Sequence, residues 1–226
     1  MSASERSWSG ITAALPKAGK FAGRCAAALL LLLAAFPASA ANLLALNDAD
    51  KADLSRIETY LNDLGTMQSR FVQANPDGTH SEGTMYLQRP GKLRFEYDAP
   101  DPYLIIAYGK WFIYVDKELE EATYLPVDKT PAYFIVKKDI KFGGRLRVAS
   151  FQSANKVLRL ELEQADEPDS GKVMMVFTDT PLQLRKWQVI DSLGNLTDTT
   201  LINPNFDVPL NEALFEYDGP EPSSGN

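Results

Sequence analysis

From Gly83 to Tyr97 the chain reads GTMYLQRPGKLRFEY. Two alternating runs flank a turn. In Thr84–Arg89, Met85, Leu87 and Arg89 share one face, and Thr84, Tyr86 and Gln88 share the other. In Leu93–Asp98, Leu93, Phe95 and Tyr97 face one way, and Arg94, Glu96 and Asp98 the other. A period of two puts one face against a core and one toward water. Pro90-Gly91 between them is a tight-turn pair, so the stretch predicts a β-hairpin with one apolar face. Arg89 sits on that apolar face. A charge there needs acceptors or a route to water. It is either an edge arginine whose stem covers carbon while its head reaches solvent, or one that hydrogen-bonds backbone carbonyls of a covering helix.

The same alternation continues downstream. Tyr103–Tyr108 and Trp111–Asp116 read as a second hairpin around Gly109-Lys110. Later strands are expected at Ile140–Phe142, Leu146–Phe151, Val157–Glu163, Val173–Thr178, Leu182–Ile190, Leu196–Asn203 and Phe215–Tyr217. Asp77-Gly78, Gly143-Gly144, Asp179-Thr180-Pro181 and Ser192-Leu193-Gly194-Asn195 mark turns between them. Many short antiparallel strands imply one large curved sheet or a barrel. Upstream, Leu54, Ile57, Leu61 and Leu64 recur at helical spacing, with Asp50 as the expected cap and Gly65 as the stop. Thr130-Pro131 can open a short helix, Ala132 to Val136, that is apolar nearly all round. Such a helix needs a surface to cover.

Composition limits the chemistry. The 226 residues carry 23 Lys plus Arg and 30 Asp plus Glu, a net charge of -7. With no basic run, nucleic acid is not an expected partner. One His (His80) and one Cys (Cys25) cannot build a usual zinc site, an iron–sulfur site or a disulfide framework, so no metal or other cofactor is expected. His80 follows Asp77 in a polar turn, but the chain lacks a G-x-S-x-G elbow, and an exposed turn histidine is the better reading. Glu118, Glu120 and Glu121, and Asp166, Glu167 and Asp169, read as solvated loop charge rather than paired catalytic carboxylates. No catalytic residue is expected, and the chain reads as a non-enzyme.

Residues 1–40 read as a secretory signal peptide. Lys17, Lys20 and Arg24 precede the apolar run Ala26 to Phe36, and Ala38-Ser39-Ala40 fits a cleavage site. The run is shorter than the ~20 apolar residues a membrane span needs. Cys25 would leave with it, and so would four basic residues and one acidic one. The mature chain is therefore expected to be cysteine-free, more acidic and exported. One domain is expected over residues 41–218, followed by a disordered tail over 219–226.

The hairpin, followed by Pro100, resembles the outer-membrane lipoprotein carrier (LolA) family, with its G-x-ϕ-x-ϕ-x-R-P strand, turn and aromatic strand. Other segments follow in the family's order. Leu61 to Gln73 (LNDLGTMQSRFVQ) resembles the first helix running into an F-x-Q strand. Tyr108-Gly109-Lys110 with Trp111 to Tyr114 resembles the D-G-K hairpin, with Tyr108 in place of Asp. Thr130-Pro131 resembles the start of the internal helix, and Asn203 to Tyr217 the closing segment.

The resemblance implies an α+β, mainly β fold. It is an incomplete antiparallel β-barrel, a half-barrel with a helical lid over a hydrophobic cavity. It also implies a monomeric periplasmic chaperone that binds the acyl chains of lipoproteins released from the inner membrane and delivers them to the outer membrane. The implied donor is an inner-membrane ABC lipoprotein exporter of the LolCDE type, and the implied recipient is an outer-membrane acceptor where the organism has one. Arg89 is implied to latch the lid. Met85, Leu87, Leu93, Phe95 and Tyr97, with Trp111, Ile113 and Phe134, are the expected lipid-binding residues. A rival reading is a periplasmic lipid-binding or envelope-stress sensor on the same half-barrel.

Overall fold

The computed structural model describes residues 44–219. The expected leader, 1–40, and residues 220–226 of the expected tail lie outside the described residues. Helix α1 spans Asp48–Asp63. Its cap is Asn47, not Asp50. Asn47 Oδ1 accepts the Asp50 N–H at 2.9 Å, and Asp50 Oδ2 accepts the Asn47 N–H at 3.0 Å. That reciprocal pair is a capping box, so Asp50 serves at the third helical position. Leu64 ends the helix in an extended conformation. Leu54, Ile57 and Leu61 form its buried stripe.

Strands β1 (Thr66–Ala74), β2 (His80–Gln88), β3 (Lys92–Tyr97), β4 (Tyr103–Tyr108), β5 (Trp111–Asp116) and β6 (Glu121–Pro126) follow as a meander. A short helix, α2 (Tyr133–Val136), precedes β7 (Leu146–Ala154), β8 (Val157–Gln164), β9 (Gly171–Thr178), β10 (Gln183–Asp191) and β11 (Leu196–Phe206). The eleven strands among the described residues belong to one sheet, in the order β6-β5-β4-β3-β2-β1-β11-β10-β9-β8-β7. Every neighbouring pair is antiparallel. The only neighbours distant in sequence are β1 and β11, which join the two meanders.

The sheet curls. Phe95 on β3 and Trp187 on β10 meet edge to face with ring centroids 5.8 Å apart. Those strands are four places apart in the sheet, about 19 Å if it were flat. Register shifts in β1, β7 and β10 supply local bends. The edges β6 and β7 do not pair with each other, so the barrel is incomplete. The chain between those two edges, residues 127–145, lies against the inner face and carries α2. Phe134, Ile135 and Val136 of α2 join the core that α1 also buries.

Three segments depart from the sequence expectation. Ile140–Phe142 forms only an isolated bridge at Phe142. Glu212–Phe215 is a turn of 3-10 helix, where a closing strand was expected from Phe215. Strand β6 was not anticipated. As an edge strand it needs only half an apolar pattern, and Glu121, which starts it, reads as loop charge.

Gly83 is required by packing. A Cβ there would lie 2.2 Å from the Glu96 carbonyl oxygen and 2.7 Å from Phe71 Cε1. Gly83 pairs with Tyr97 on one side and Phe71 on the other. Gly83→Ala is expected to destabilise the protein by about 1–3 kcal/mol through overpacking. Urea unfolding checks this, and a change below about 0.5 kcal/mol, the scale of an ordinary surface substitution, would contradict it.

Candidate lipid-binding cavity

Between the inner face and the lid lies a cavity of about 330 Å³. Leu93, Phe95 and Tyr97 line it from β3. Their partners continue the wall, because Phe95 pairs with Ile105, and Ile105 with Tyr114. Phe112 lies beside them, and Val173, Met175, Trp187 and Val189 form the opposite wall from β9 and β10. Pro131, Ala132 and Ile135 of the lid form the cover. The volume is at the lower end of the range for ligand pockets, and the lining has the usual mix of apolar wall and a few polar groups.

Five of the eight expected lipid-binding residues lie elsewhere. Met85 and Leu87 are fully buried in the core they share with Leu54, Ile57 and Leu61. Phe134 is buried beside the cavity residue Ile135 but does not line the cavity. Trp111 and Ile113 face the other way, which corrects the expectation that they line the cavity. They belong to a second cluster on the outer face, with Leu104, Ile106, Val115 and Tyr124. The C-terminal segment covers that cluster. Tyr217 packs on it, and Arg94 Nη1 donates to the Leu214 carbonyl at 3.0 Å. The phase of the second hairpin depends on the loop 98–102, which is too long to set register as Pro90-Gly91 does.

Residues of the far strands, Met175, Trp187 and Val189, were missed because only long-range pairing brings them to β3. Gln73 was also missed as a lining residue. The F-x-Q pattern in which it sits was the available signal.

Arg89 closes the β2 end of the first hairpin. Its Nη2 donates to the carbonyls of Lys137 and Lys138, the second at 3.1 Å. Gly91, with φ 84°, donates its N–H to the Val136 carbonyl at 2.8 Å. The hairpin turn thus holds three consecutive carbonyls at the end of α2. Arg89 Nε and Nη1 are buried without a hydrogen-bond partner. Burial pulls the guanidinium pKa down, and nearby Asp139 opposes that. The closed arrangement therefore carries an unmet desolvation cost beside its hydrogen bonds.

Helix α1 holds the same segment from its other side. Asn62 Nδ2 donates to the Ile140 carbonyl at 2.8 Å, and Asn62 Oδ1 accepts the Ile140 N–H at 2.9 Å. Glu58 accepts the Phe142 N–H at 2.6 Å. Toward the β7 edge, Arg145 stacks over Tyr133 at 5.1 Å and pairs with Asp166 at 3.2 Å. Gln164 donates to the Asp128 carbonyl, and Lys129 pairs with Glu167. These contacts are short-range and polar.

His80 is exposed at the start of β2. Asp77, the acidic residue that precedes it, accepts from the Thr79 N–H at 3.0 Å and hydroxyl at 2.7 Å. Ser81 accepts from Asn75. Asp77 and Ser81, the residues flanking His80, are therefore committed to other partners. Glu118 and Glu120 lie in the β5–β6 turn, and Asp166, Glu167 and Asp169 lie in the β8–β9 connection.

An open antiparallel half-barrel with a latched lid over an apolar cavity is the architecture of a shielding, ligand-holding protein. Residues 62–218 match the family described as outer membrane lipoprotein carrier protein LolA, and the chain belongs to that family. It is 26% identical to the outer-membrane lipoprotein carrier protein of Azotobacter vinelandii, over 85% of this chain and 94% of that one. It is 28% identical to the protein of the same name from Pseudomonas aeruginosa PAO1, over 76% of this chain and 86% of that one. Among solved structures it is similar to a LolA-superfamily protein from Nitrosomonas europaea. There the identity is 12% and the TM-score 0.41, over 73% of this chain and 97% of that one.

Proposed function

We propose that this protein is a periplasmic carrier that takes up the acyl chains of lipoproteins released from the inner membrane and delivers them to the outer membrane. The observation that carries the reading is the apolar cavity under a lid segment held by polar contacts and by the packing of α2. An acyl chain in water costs about 0.8 kcal/mol per exposed CH₂. A carrier must shield that surface and then give it up. A wall of Leu93, Phe95, Ile105, Met175 and Trp187 supplies the shield. The contacts of Arg89 and Asn62 to lid carbonyls supply a closure that can be exchanged for cargo. Binding and release, not catalysis, is the role.

In this reading residues 1–40 direct export and residues 41–218 form a single carrier domain. Leu93, Phe95 and Tyr97 touch the chains, and Arg89 latches the lid. An inner-membrane ABC exporter of the LolCDE type loads the carrier, an outer-membrane acceptor unloads it, and the carrier acts as a monomer. Depletion of the protein in the bacterium that encodes it, followed by membrane fractionation, tests this. Lipoproteins of the outer membrane are expected to accumulate at the inner membrane, with lipoprotein found on the carrier purified from the periplasm. Unaltered lipoprotein sorting on depletion would overturn it.

A further inference from the structure

One side of the cavity is polar, and it is built. Gln73 on β1 faces Thr199 on β11, its register partner, and both line the cavity with Thr197 and Tyr97. The Tyr97 hydroxyl donates to Gln73 Oε1 at 3.0 Å. The Thr199 hydroxyl donates to the same oxygen at 3.4 Å. Gln73 Nε2 donates to Asn75 Oδ1 at 2.7 Å, and Asn75 Nδ2 in turn donates to the Thr79 and Ser81 hydroxyls, each at 3.0 Å. Burial pushes the Tyr97 phenol up to about 12, so it stays a donor. Two hydroxyl donors on the amide oxygen and one acceptor at the nitrogen orient the Gln73 amide. An NH₂ group has two N–H donors. One is spent on Asn75, and the second has no protein acceptor among the described residues. The Thr197 hydroxyl makes no side-chain hydrogen bond among them either.

A cavity for hydrocarbon alone gains nothing from this network. A hydrocarbon ligand would leave the Gln73 N–H and the Thr197 hydroxyl desolvated and unsatisfied. The open Gln73 position is a donor and the Thr197 hydroxyl can also donate, so a ligand acceptor such as a carbonyl oxygen satisfies both. It also has to be joined to hydrocarbon. Location agrees with this. Gln73 pairs with Ser81, whereas Gln88, next to Arg89, pairs with Thr66, seven residues back along β1. That separates the polar side from the lid latch by about 23 Å of strand.

We propose that Gln73 and Thr197 bind the ester or amide carbonyls at the head of the cargo's acyl chains. The hydrocarbon then runs toward Leu93, Phe112 and Ile135 under the lid helix, and the carbonyl end stays on the Gln73 side. Tyr97, Thr199 and Asn75 act as positioning residues for the Gln73 amide. This rests on the acyl-carrier reading above.

The test uses a synthetic dipalmitoylated lipopeptide and its dialkyl-ether counterpart, which differs by lacking the two ester carbonyl oxygens. Both are titrated into the leaderless protein, into Gln73→Met and into Thr197→Val. The unaltered protein is expected to prefer the diacyl probe by about fivefold, the effect of one or two hydrogen bonds. In each variant the ratio of the two affinities is expected to fall toward one. The ratio cancels any general loss of binding in a variant. Equal binding of the two probes by the unaltered protein, or a preference that survives in both variants, overturns the carbonyl site and leaves the carrier reading standing. Failure of both probes to bind the unaltered protein overturns the carrier reading itself.

Discussion

Phe71→Ala is expected to cost about 3–5 kcal/mol of folding stability, the range for removing a fully buried aromatic ring. Phe71 is 1% exposed. It lies at the centre of β1, the strand that joins the two meanders, and pairs with Leu201 on β11 and Gly83 on β2. Its ring meets Phe95 at 5.1 Å and Tyr97 at 5.2 Å, both edge to face. Phe95 then meets Trp187 across the curl. Removing Phe71 leaves a void under the two aromatic residues that form the cavity wall from β3. Neighbours cannot collapse into it without unbending the sheet, so the cost belongs at the upper part of the range. Thermal or urea unfolding measures it, with a fall in Tm of roughly 10 °C for a chain of this size. A loss below about 1 kcal/mol, the usual value for an arbitrary substitution, would show that the curl does not depend on this ring.

Arg89→Leu is expected to strengthen cargo binding by about tenfold or more and to slow cargo release to a similar degree. In the closed protein Arg89 donates to two lid carbonyls. Hydrogen bonds from a charged donor contribute about 1.5–3 kcal/mol each at most, offset here by two buried nitrogens without partners. Cargo that needs an opened lid binds with an affinity scaled by the open fraction. Removing the latch raises that fraction, and leucine adds apolar surface at the lid margin. Arg89→Lys keeps the charge but loses the planar fork, so it should fall between the two. Transfer of a fluorescent lipopeptide from the loaded protein to acceptor vesicles measures release. Transfer as fast as in the unaltered protein would remove Arg89 from the release step. Glu58 and Asn62 still hold residues 140–142 in the variant, so the lid is loosened rather than lost.

The first hairpin was readable from parity alone. Its loop, Arg89-Pro90-Gly91, pairs Gln88 with Lys92 and Leu87 with Leu93, and that register sets Leu93, Phe95 and Tyr97 on the same face as Met85 and Leu87. The second hairpin was readable as a hairpin, yet Trp111 and Ile113 were assigned to the wrong side of the sheet. Their own turn pairs Tyr108 with Trp111, but the side that faces inward depends on how β4 docks on β3. The C-terminal segment also gives the outer face of β4 and β5 an apolar cover, so both faces of those strands are apolar and alternation loses its meaning. Met85 and Leu87 show a different limit. Parity placed them inward, but it does not say whether a helix or a ligand covers an inward residue.

The amino-acid sequence by itself determined the mainly β fold class, the helix at its start, the absence of a usual zinc, iron–sulfur or disulfide ligand set, and the apolar face beside Arg89. Each of these follows from local spacing or composition. Only the tertiary structure decided that β1 pairs with β11, that the sheet curls until Phe95 reaches Trp187, and that the segment between the two open edges folds over the gap. Only it placed Gln73 beside Tyr97 and Thr199 on the cavity wall. Those facts depend on contacts between residues more than a hundred positions apart in several cases. Such contacts are set by which apolar faces can be buried together, and no local period records that choice.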